Sequence, residues 1–148
     1  MKHITTLLLT LLILGGCDSF QKKGTWSCYG EDINYNIGGK TLLNASASIV
    51  TLNLDTEIFH RQYGVARAKD FKGEKPEELL ERARKYLDSP ADRMNDYDKL
   101  VVKEINDVYI ELEAKKDART IVLERIIPES GEAKARIYYN QFKCSLSL

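Results

Sequence analysis

The chain has 148 residues, with 22 lysines and arginines against 22 aspartates and glutamates, two histidines and three cysteines. Its length suits one domain with a core of its own and leaves no room for a second. The even charge balance does not favour nucleic acid as a partner, and none is expected, because that binding depends on clustered basic surface that displaces counterions.

The first element is a short apolar run. Lys2 precedes Ile4 to Leu14, eleven mostly apolar residues that would make a helix of about 16 Å against about 30 Å for a hydrocarbon core. Too short to span a bilayer, the run has the layout of a secretory leader: a basic start, an apolar centre and small residues at its end. Those last residues, Leu14-Gly15-Gly16-Cys17, resemble the lipobox of bacterial lipoprotein precursors. The resemblance implies a leader over residues 1–16, diacylglycerol on the Cys17 thiol, cleavage before Cys17 and a further acyl chain on the new amino group. At roughly 0.8 kcal/mol per buried methylene, two or three chains hold a small domain on a membrane permanently. Asp18 resembles the residue that keeps such lipoproteins in the inner membrane, with Ser19 modulating it. The expected address is therefore the inner rather than the outer membrane, facing the periplasm.

Residues 17–24 would then be a lipidated N-terminus and polar tether, and residues 25–148 a single periplasmic domain. Loss of the leader with Lys2 leaves a net charge of minus one. Of the cysteines, Cys28 and Cys144 remain, 116 residues apart. In an oxidising compartment one pair allows one bridge, and closing a loop of that length contributes roughly 4–5 kcal/mol by chain entropy. A zinc site usually takes four Cys, His or carboxylate ligands, and His60 is the one histidine beyond the leader. No metal or cofactor is expected.

Strands dominate the rest. Thr25 to Gly30 starts the domain with Trp26 and Cys28 on one face, and Ile33 to Ile37 continues it before the turn Gly38-Gly39-Lys40. Leu42 to Leu54 follows, its apolar parity changing near Ser48-Ile49, the pattern of a bulge or corner. Ile58 to Phe71 is another extended run. Pro76 then opens a helix: Glu77 and Glu78 suit its first turn, Leu79, Leu80, Ala83, Tyr86 and Leu87 form one apolar stripe, and Asp88-Ser89-Pro90 ends it. The segment 89–98 reads as a surface loop. Leu100 to Ile105, Val108 to Ala114 and Arg119 to Ile127 are strands joined by the turns Asn106-Asp107 and Lys115-Lys116-Asp117. The last strand carries Phe142, Cys144 and Leu146 on one face, so pairing it with the first would bring the sulfurs together inside and nearly close the sheet. The fold class expected is α+β: an antiparallel meander, barrel-like, with one inserted amphipathic helix.

Chemistry is sparse. His60 has no nucleophile in its neighbourhood of sequence, no glycine-rich phosphate loop is present, and the carboxylates at Glu77, Glu78, Glu81, Glu111 and Glu113 are explained by helix charge and an outward strand face. If the odd residues of the third run face outward, Phe59, Arg61, Tyr63, Arg67 and Lys69 make a stripe of aromatics and cations suited to an interface. Gly24-Thr25-Trp26 resembles the start of lipocalins and fatty-acid-binding proteins, which implies a barrel and a basic residue, here Arg136, stacked on Trp26. The setting is also that of small periplasmic lysozyme inhibitors, without their motifs. The expectation is a lipid-anchored, non-enzymatic module of inhibitor, immunity or exclusion type that binds an envelope protein or glycan. A barrel carrying a small apolar ligand and an envelope hydrolase are the alternatives.

Overall fold

A computed structural model describes residues 23–34, 43–68, 75–125, 132–137 and 140–147. Cys17, Asp18 and Lys69 lie outside them, as does the turn 38–40. Eight antiparallel strands follow one another around a closed barrel: β1 (Thr25–Asn34), β2 (Asn44–Asn53), β3 (Ile58–Arg67), β4 (Met94–Ile105), β5 (Tyr109–Ala114), β6 (Arg119–Arg125), β7 (Glu132–Ile137) and β8 (Asn140–Ser147). Helix α1 (Pro76–Asp88) is inserted between β3 and β4. The α+β class with a barrel-like sheet is thus the observed one. Closure is made by β1 against β8, where Cys28 lies directly opposite Cys144 and a disulfide joins them.

Eight strands enclose a space just wide enough for side chains to fill. Alternation supplies them: Trp26 and Cys28, Val50 and Leu52, Phe59, Leu100, Ile110 and Leu112, Ile121 and Leu123, Phe142 and Cys144 all point inward and are buried together. Phe142 needs room, and its neighbour across the β1–β8 pair is Gly30, where a Cβ would come within 2.7 Å of the ring.

A second, smaller core lies outside the wall. Leu79, Leu80, Ala83 and Leu87 of α1 rest on Ala45 and Ala47 of β2 and Ala66 of β3. Small residues let the helix close on the backbone: a Cβ on Gly64 would stand 2.2 Å from the Ala83 carbonyl oxygen. Pro76 at the first turn and Glu77 and Glu78 beside it suit the helix start. The Arg84 guanidinium adds a fork, Nε to Glu31 Oε2 at 2.6 Å and Nη2 to Glu31 Oε1 at 2.9 Å, tying the helix to β1.

Three expectations are corrected. The parity change at Ser48-Ile49 is not a bulge, since β2 pairs without a break on both sides; Ala45 and Ala47 face the helix while Val50 and Leu52 face the interior, so both faces are covered. The register shift is instead in β4, between Val102 and Glu104. The segment 89–98 is not all loop, because residues 94–98 pair with 59–63 of β3. And the C-terminal half has five strands rather than four, the end of the chain folding back as β7 and β8.

Candidate functional site

The stripe expected on β3 is divided by the barrel wall. Leu100 N–H donates to the Glu57 carbonyl and Phe59 is wholly buried, which fixes the odd residues of β3 as inward-facing. Outward stand Ile58, His60 and Gln62, with Gly64 and Ala66 under α1. His60 stacks flat on Tyr97 of β4, ring centroids 4.1 Å apart, and its Nε2 is 3.1 Å from Asn95 Oδ1. Arg136 does not reach Trp26; it lies on the outer face, 4.0 Å from Glu124.

Inside, the interior changes character along β3. Phe59 belongs to the apolar core, and the Arg119 guanidinium lies over its ring at 5.1 Å while reaching Asp117 at 3.3 Å. One step on, Arg61 directs Nε and Nη2 to the Ser48 hydroxyl at 3.1 and 2.9 Å. Its guanidinium also sits 4.0 Å from the centre of the Tyr63 ring, a cation–π contact. Burial holds the Arg61 pKa below its ordinary value, with the Arg119 charge acting in the same direction. Asp96 stands at the same level, opposite Arg61 in the ladder and 3.8 Å from Lys116 Nζ.

Beyond Tyr63 the wall is incomplete. β4 begins at Met94, paired with Tyr63, so residues 64–67 of β3 run past it. Between that projecting end and the helix is a cleft of about 500 Å³, lined by Tyr63, Val65 and Arg67 of β3, Arg82 and Tyr86 of α1, and Met94. Arg82 Nη2 donates to the Arg67 carbonyl at 2.8 Å and braces the cleft floor. Met94 is half exposed and Tyr86 half buried. Tyrosine, arginine and methionine are the types enriched where binding energy concentrates.

Of the expected stripe, the structure therefore brings Tyr63 and Arg67 together in one cleft, sets Arg61 behind Tyr63 and removes Phe59 to the core. Tyr86 and Met94 were not anticipated as site residues. Tyr86 sits on the helix stripe that reads as core, and Met94 falls in the segment that reads as loop.

Among the described residues there is no group of three or more His, Cys, Asp or Glu able to hold a metal, and no helix long and apolar enough to cross a membrane. No protein-family model, curated protein or solved structure matches this chain.

Proposed function

We propose that the chain is a lipid-anchored periplasmic lipoprotein whose barrel is a non-enzymatic binding module, capturing a macromolecule of the envelope through the cleft beside β3. The single observation that carries this reading is the contrast between a filled interior and an open, aromatic and cationic cleft. Leu52, Phe59, Ile110, Leu112, Ala114, Ile121, Leu123 and Ala133 have no exposed surface at all. A water-sized sphere therefore touches none of them, from outside or from an internal void. A carrier of a small apolar ligand needs a cavity of roughly 300–1,000 Å³, and these inward residues leave none against them. An inhibitor, immunity or exclusion protein needs a surface, and the cleft is one.

The anchor follows from Leu14-Gly15-Gly16-Cys17. Cells expressing the full chain should incorporate labelled palmitate, and Cys17→Ala should abolish both label and membrane retention. For the binding half, tagged full-length protein recovered from gently solubilised envelopes should carry a stoichiometric partner that Tyr86→Ala and Met94→Ala variants lose, Met94→Ala at an unchanged melting temperature and Tyr86→Ala with the small stability loss of a half-buried α1 ring packed on the smaller core. Retention of the same partner by both variants would refute the cleft as the binding site.

A further inference from the structure

The projecting end of β3 presents more than side chains. In an antiparallel strand, the N–H and C=O of alternate residues point to opposite neighbours. Ala68 N–H donates to the Leu43 carbonyl, which assigns the even residues of β3 to β2. Leu100 N–H donates to the Glu57 carbonyl, which assigns the odd residues to β4. The β4 ladder stops at Tyr63–Met94. Upstream of Met94 the chain turns away: Asp92 and Arg93 N–H both bond to the Ser89 carbonyl, at 3.1 and 2.8 Å. The Val65 N–H and C=O and the Arg67 N–H consequently face the cleft with no strand beside them among the described residues. The Arg67 carbonyl on that edge accepts from Arg82 Nη2.

An open edge of this kind is a template for another strand, and proteins otherwise blunt it with charge, proline or a covering element. Here it opens into a cleft whose described lining carries the exposed Arg67 at its rim and no carboxylate. We infer that the cleft binds an extended acidic peptide segment of a partner protein, added as a short antiparallel strand along Val65–Arg67. Backbone bonds to Val65 would give the register. Tyr63 and Met94 on the inward face and Tyr86 on the helix side would take alternate residues of the added strand, and Arg67 would meet a carboxylate at the rim. The inference rests on the binding-module reading and specifies its partner.

The test uses the detergent-solubilised full chain and a positional-scanning library of fluorescent heptapeptides. Pools with Asp or Glu at alternate positions should bind best, and Arg67→Glu should lower their affinity by about tenfold and reverse the preference towards Lys and Arg. N-methylation of alternate peptide nitrogens leaves the protein untouched and should cost about tenfold, since it removes the backbone bonds. Val65→Pro should do the same from the other side, proline being tolerated at an edge. Acidic pools that bind equally well when N-methylated would overturn strand addition while leaving the cleft as a binding site. Preference for basic pools, or no pool above background while the envelope partner is still captured, would overturn the inference and leave the broader reading standing.

Discussion

Leu52, Phe59 and Ile121 are buried in the apolar core of the barrel with no surface open to a water-sized sphere, and the Arg119 guanidinium lies over the Phe59 ring. A few residues along the same strands, the inward positions are Ser48, Arg61, Tyr63 and Asp96, and the wall opens beside Met94. The closed part is held by burial at about 25 cal/mol per Å² of apolar area and by a covalent bridge. The open part is held by a hydroxyl, a ring and scattered charges, so its residues bury less apolar area and contribute less to folding.

The largest effect expected on that contrast is removal of the bridge. Cys28→Ala with Cys144→Ala should cost roughly 4–5 kcal/mol by loop-closure entropy, measured by denaturant unfolding of the oxidised parent and the variant. Next, Phe59→Ala should cost about 3–5 kcal/mol, as for other buried aromatics. By comparison Tyr63→Ala at the rim should cost under about 1.5 kcal/mol, a half-buried ring losing less apolar area; equal losses at the two positions would erase the distinction.

Gly64→Ala comes third, at about 1–3 kcal/mol, because the added methyl meets the Ala83 carbonyl and the Leu87 nitrogen, backbone atoms that cannot swing away. The loss should be accompanied by faster amide exchange in α1 alone, since the helix is docked outside the main core. The smallest effect concerns the fork between Glu31 and Arg84. The hydrogen-bonded Arg84 guanidinium holds the Glu31 carboxyl below its ordinary range. Its contribution is therefore present above the unfolded carboxylate pKa of about 4.3 and is lost as the pH falls through the lower folded value. Unfolding midpoints of the parent and Glu31→Gln should differ at neutral pH and converge in acid; a constant difference across that window would rule out the linkage.

The apolar half of the molecule was legible in the sequence and the open half was not. Ile110 and Leu112 alternate with Glu111 and Glu113, as a strand with one wet face must. Phe142 and Cys144 share a parity, as do Trp26 and Cys28, and the ladder between β1 and β8 follows. Residues 94–98, Met-Asn-Asp-Tyr-Asp, have poor strand propensity and are strand because β3 offers them a partner. On β3 the parity misleads because both faces are covered at different heights, Phe59 by the barrel and Gly64 and Ala66 by α1. The cleft assembles positions 63–67, 82–86 and 94, which no local pattern joins.

The most direct measurement places a photo-reactive residue at Met94, on the rim of the cleft, and in a second protein at Val108, which is 64% exposed at the opposite end of the barrel. Irradiation of cells expressing each full-length chain should give a discrete heavier adduct from position 94 and none from position 108. An adduct from 108 with none from 94 would contradict the assignment of binding to the open end of the barrel.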